Sequence, residues 1–201
     1  MSNKPSAQSR FPLTVAALSS TDSGRWNDGD GELCVHARAF HMAARTLAES
    51  AGPDSGPLAE FGASPVVFMY RQAVELHLKV LVLEEGGNFL SPRPDPLAVS
   101  ASHSLTWLAQ FVRQIITRLG WEPRFTCEGV ENLDDFWAVM IELSAAGLAA
   151  RAGIDEFARR MDALLDLLDA TADALEEEWD ARLEFSDSWV EWPDGFTPTI
   201  Q

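Results

Sequence analysis

Cysteine is scarce in this chain: Cys34 and Cys127 are the two thiols in 201 residues. They form no CxxC pair, so neither a disulfide framework nor a zinc knuckle is indicated, and a reducing cytoplasm is the expected compartment. Long hydrophobic runs are missing too. No apolar stretch approaches the ~20 residues that a bilayer span requires. The short FPLTVAAL segment at 11–18, interrupted by proline and threonine, is a poor export signal. A soluble protein with no membrane partner is expected. No window alternates with period two, and no hairpin dipeptide separates two such windows, which excludes a sheet. The chain also lacks a Walker loop, a GxSxG and a GxGxxG. The commonest nucleotide-binding and acyl-transfer readings fall with them, and no cofactor is expected. Lysine is nearly absent, Lys4 and Lys79 standing against thirteen arginines, which makes a lysine inside the most apolar helix conspicuous.

Positive charge is in short supply as well. The formal net charge is −16, and its distribution is uneven: residues 1–120 hold ten basic and eleven acidic groups, residues 121–201 five and twenty. Such a surface repels phosphate backbones at long range, so RNA is disfavoured as a partner except at a local basic pocket. The simplest role for the acidic half is a solvated helix face that keeps the chain in solution. The alternative is a scaffold whose acidic last helix binds a basic protein.

What is present is helical periodicity. Residues 1–30, rich in Ser, Asn, Asp and Pro, read as a flexible N-terminal arm. A first helix is expected from about Gly31 to Ser50, with Leu33, Ala37, Phe40, Ala44 and Leu47 at three- and four-residue steps. GPDSGP at 52–57 ends it. Ser64 offers an N-cap and Pro65 an N1 residue for a second helix that Gly86 and Gly87 close. SPRPDP at 91–96 reads as non-helical. A third helix begins near Ser102 and shows Leu105, Leu108, Val112, Ile115 and Leu119 before Gly120. A fourth carries Leu133, Phe136 or Trp137, Met140 and Ser144. The fifth and longest runs from about Ile154 to Leu183, with a free end on which a second subunit could pack. The fold class is therefore all-α: an antiparallel bundle of four to five helices over 31–184, followed by an aromatic-rich tail at 185–201 that folds back or contacts a partner.

The second helix, SPVVFMYRQAVELHLKVLVLEE, is apolar around most of its circumference. Its polar strip holds Arg71, Glu75 and Lys79 at i, i+4 and i+8, with Glu75 between two cations. Either this is a solvent-facing salt-bridge ladder, or it lines a cleft against another helix or subunit. On the same wheel His77 falls about 120° away from Arg71, inside the apolar arc, as a neutral imidazole bonded within the core. His103 stands at the start of the third helix, where it caps the loop or exchanges protons beside Glu75 and Lys79. A metal is not expected: the histidines at 36, 41, 77 and 103 include no ExxH pair, and Glu32-x3-His36 is a weak signal.

YRQAVELHLKVLV at 70–82, a gap containing Pro and Gly, and then HSLTWL at 103–108 resemble the prokaryotic HEPN superfamily. Its members often show an R-x3-E-L-x-L-K helix followed by an H-x-L helix start. The resemblance covers roughly forty residues and implies an all-α bundle, a homodimer, and a setting in phage defence or toxin–antitoxin systems. A nucleotidyltransferase-type antitoxin or another protein is the partner it implies. Its catalytic signature is an R-x4-6-H motif late in the bundle, with Arg and His meeting across a dimer interface. Arg71-x5-His77 matches that spacing but lies on the second helix, and a regular helix points the two side chains apart. The resemblance thus implies a binding or regulatory module with a degenerate nuclease site. Its alternative is a metal-independent RNase, with His77 or His103 as general base and Arg71 stabilising the phosphorane.

Overall fold

Proline and glycine punctuate the chain, but tertiary packing decides where each helix stops. The computed structural model describes residues 31–50, 58–145 and 153–188, with side chains for 31–50, 65–145 and 153–183. The described residues form six α-helices, α1 (Glu32–Ser50), α2 (Leu58–Val80), α3 (Pro96–Ala101), α4 (Leu105–Leu119), α5 (Leu133–Ser144) and α6 (Ile154–Ser188). There is no strand among the described residues; the nearest approach is one bridge between Cys127 and Val130. The protein is an all-α helical bundle. No helix among the described residues is long and apolar enough to cross a membrane. The expected arm at 1–30, the 52–57 loop and most of the aromatic tail lie outside the described residues.

Helix α2 is the hub, packing against α1, α4 and α6. Tyr70, Ala73, Val74 and Leu78 are fully buried, as are Leu105, Leu108 and Ile116 of α4, Phe136 and Met140 of α5, and Leu165, Leu168 and Leu175 of α6. Edge-to-face pairs lock the helices laterally. Tyr70 meets Phe157 at 5.6 Å between centroids, and Phe125 meets Phe136 at 5.2 Å; each is worth about 0.5–1.5 kcal/mol beyond the area it buries. On α1 the fully buried positions are alanines, Ala37 and Ala44, while the larger Leu33, Phe40 and Leu47 are only half-buried. Small side chains let α1 approach closely, so the buried stripe is rotated from the one that bulk alone selects.

Three boundaries differ from expectation. Helix α2 begins at Leu58, so Pro65 lies inside it rather than at N1. The helix formers preceding the proline extend the helix, and the proline removes one backbone hydrogen bond without ending it. At its other end α2 widens into a π-turn, Leu81–Glu85, closed by Gly86 N donating to Leu81 O at 2.7 Å. Pro96, expected outside any helix, opens α3: Asp95 caps the helix by accepting from Leu97 N at 3.1 Å, and proline at N1 has no amide to lose. The third helix behaves as its residues dictate, with Gly120 in the left-handed region (φ 67°) closing α4. Helix α6 runs to Ser188, past the expected boundary at 184, and Asp180 to Leu183 are exposed on it.

Candidate functional site

Glu75 is the centre of the first polar constellation. Its carboxylate has no solvent exposure, and Oε1 accepts from Lys79 Nζ at 2.9 Å and from His103 Nδ1 at 2.8 Å. Oε2 lies 3.7 Å from Arg71 Nη1 and is, among the described residues, a buried side-chain oxygen without a hydrogen bond. Two backbone carbonyls complete the arrangement. Lys79 Nζ also donates to Ser100 O at 3.0 Å, and Arg71 Nη2 donates to His103 O at 2.9 Å. The polar strip of α2 is therefore a clamp that grips the turn between α3 and α4, not a ladder facing solvent.

Local sequence explains how that turn is presented. Ser102 ends α3, and its hydroxyl accepts from Ser104 N at 3.3 Å. Ser104 caps α4 by accepting from Trp107 N at 3.2 Å, and Leu105 is driven fully into the core. His103, one residue before the cap, is left projecting from an extended backbone. Its side chain is 75% exposed although Nδ1 is bonded to a fully buried carboxylate. Nδ1–H donates to Glu75, and the rest of the ring, with Nε2, faces solvent.

Arg71, Glu75, Lys79 and His103 are thus brought together, and His77 is not. His77 is 4% exposed, and its Nδ1 donates to Ala73 O at 2.8 Å within its own helix. Burial pushes its pKa below the ordinary histidine value, partly offset by the Ala73 carbonyl and by Asp169, so it is a neutral core imidazole. The Arg71/His77 pair does not form a site within one chain. Nor do the histidines converge: His41 and His77 are 6.5 Å apart between ring centroids, while His103 serves Glu75 and His36 is exposed. Among the described residues no group of His, Cys, Asp and Glu is arranged to hold a metal ion.

A second constellation went unread in the sequence. The Asp162 carboxylate of α6 accepts from Tyr70 OH at 2.8 Å and from Arg45 Nε at 3.2 Å, and contacts His41 Nε2 at 2.8 Å. Burial, followed by the bond to Asp162, raises the Tyr70 pKa far above the phenol range. Two turns further along α6, Arg38 Nε donates to Asp169 at 3.1 Å. Arg38, His41 and Arg45 on α1 face carboxylates at 162, 169 and 173 on α6. The acidic helix is therefore not simply a solvated face: part of its charge is matched by α1. The signal available was the three- and four-residue spacing of Arg38, His41 and Arg45 against the seven-residue spacing of Asp162 and Asp169.

Comparison with known proteins returned nothing on which function can lean: no family model, no curated protein and no solved structure matches this chain.

Proposed function

We propose that this chain is a HEPN-like helical protein that acts as a binding or regulatory module of the phage-defence or toxin–antitoxin kind. It works as a homodimer with a protein partner, such as a nucleotidyltransferase-type antitoxin, and its nuclease site is degenerate. The observation that supports this reading is the separation of Arg71 from His77. The arginine is spent on the Glu75 clamp and the His103 carbonyl, and the histidine is buried against its own helix. A group that cannot reach solvent cannot abstract the proton of a ribose 2′-OH.

A second reading has its own observation. The His103 imidazole is 75% exposed, oriented by a buried carboxylate, and next to a partly exposed Arg71. A metal-independent RNase could use His103 Nε2 as general base, Glu75 to hold the ring, and Arg71 to stabilise the charged phosphorane. Purified protein incubated with total RNA, with and without EDTA, separates the two. Intact RNA together with a dimer in sedimentation is the outcome expected. Cleavage that is abolished in His103→Ala and Arg71→Ala but retained in His77→Ala establishes the RNase instead. A strict monomer that captures no partner counts against the binding module.

A further inference from the structure

On the side of α4 away from α2 lies a groove of about 560 Å³ whose chemistry is unlike the rest of this acidic molecule. Gln110, Arg113, Gln114, Thr117 and Arg118 form one stripe of α4, and Trp137 of α5 stands opposite them. None of the lining residues is acidic. The Arg113 guanidinium sits 5.6 Å from the Trp137 ring and pairs at 3.0 Å with Asp134, a carboxylate 89% exposed and therefore weakly held. Arg118 donates to Phe89 O at 2.9 Å, which fixes it at the groove's edge.

The two glutamine amides decide the class of ligand. Each offers a donor and an acceptor, and one turn apart on α4 they can pair with the C=O and N–H of an extended peptide. A phosphodiester backbone only accepts, and it meets the long-range repulsion of a −16 molecule. Arginines bind carboxylates in the same stretch, and Trp137 offers a face to an aromatic or proline side chain. The fit is to an acidic peptide that carries aromatic residues.

Such a peptide is part of this chain. Beyond Arg182 there is no basic residue, and the last thirteen positions include Trp189, Glu191, Trp192, Pro193, Asp194 and Phe196. Helix α6 runs past one wall of the groove. Its Trp179 ring packs 5.9 Å from Phe89, and Arg182 lies 4.9 Å over the same ring, next to Leu90 in the groove wall. From Arg182 to Ser188 the helix advances only about 9 Å, and thirteen extended residues span up to about 43 Å. We propose that the α4–α5 groove is a docking site for an extended acidic, aromatic peptide, and that residues 189–196 of the same chain occupy it.

The test uses the full chain and chymotrypsin, which cuts after Trp189 and Phe196 but not at the Trp192–Pro193 bond, with fragments read by mass spectrometry. Wild type is cut slowly at these bonds. Arg113→Glu accelerates cleavage several-fold, and adding Glu191→Arg and Asp194→Arg restores protection. Gln114→Glu, at an exposed position, gives the same acceleration if Arg113→Glu fails the far-UV circular dichroism check. Equal cleavage rates in wild type and both groove variants, fast or slow, overturn the proposal. So does protection that disappears on dilution together with a dimer, because the segment would then be seated on a second copy. No groove residue belongs to the Glu75 clamp, so neither result bears on the RNA-cleavage test.

Discussion

Replacing Glu75 with leucine should be among the most damaging single changes available in this protein. The carboxylate is wholly buried, and its removal leaves the Lys79 ammonium, itself 7% exposed, with the Ser100 carbonyl and no counter-charge. Stranding one member of a buried ion pair costs about 3–5 kcal/mol. The lost bond to His103 adds little, because that ring can turn to water. In a chain of this size each kcal/mol moves the midpoint by roughly 2–4 °C, so Glu75→Leu should melt on the order of 10 °C below wild type. Lys79→Met alone leaves the carboxylate with His103 and Arg71 and should cost less, about 1–3 kcal/mol. The double variant removes both charges and should cost about 2–5 kcal/mol, less than the sum of the singles by a coupling of about 2–3 kcal/mol in a double-mutant cycle read by urea and thermal unfolding. Two results refute the reasoning. One is a Glu75→Leu variant within about 1 kcal/mol of wild type. The other is a double variant as unstable as the sum of the singles. A Glu75→Leu variant more stable than wild type points further, to a carboxylate retained for chemistry at a cost in stability.

Glu85 in the π-turn is pushed up to about 7 by burial and by Glu176, Glu84, Asp173 and Asp180. Its folded pKa exceeds the unfolded one, so the folded state holds the proton more tightly between about pH 4.5 and 7, and stability falls as pH rises through that window. Screening of this partly exposed group reduces the effect to about 1–2 kcal/mol. Glu85→Gln should be stabilised at pH 8 and unchanged at pH 4.5, as read by urea midpoints; an equal gain at both pH values argues against the assignment. His77 acts in the opposite direction. Its lowered pKa makes the unfolded state the better proton acceptor below pH 6.5, so stability is lost as pH falls, and His77→Met should flatten that acid limb. A methyl group at Gly86 would collide with the Leu81 carbonyl oxygen and the Ile115 side chain, so Gly86→Ala should cost about 1–3 kcal/mol although its φ of −89° suits alanine. A melting temperature unchanged in that variant would show that the π-turn relaxes freely.

Much of the bundle was legible before any coordinates. The buried positions of α4 and the neutral core placement of His77 follow from 3.6-residue periodicity and local caps, whereas periodicity left Phe136 and Trp137 as alternatives on α5 and packing chose Phe136. Helix α3 was missed because six residues are too few for periodicity to register, although Asp95-Pro96 is an N-cap and N1 pair. That omission mattered, since Ser100 of α3 is the second acceptor for Lys79.

The sequence by itself determined that the chain is helical, that α2 is its most apolar rod, and that Arg71, Glu75 and Lys79 share one seam, because these depend on spacing along a single helix. Only the tertiary structure decided that the seam is buried against the α3–α4 turn, that His103 joins it, and that Tyr70, His41 and Arg45 converge on Asp162 some ninety or more residues away. The physical reason is range. Periodicity fixes which face a side chain shares with its near neighbours, while the partner on the next helix is set by how side-chain volumes pack, as the alanines of α1 do in letting its cations reach the carboxylates of α6.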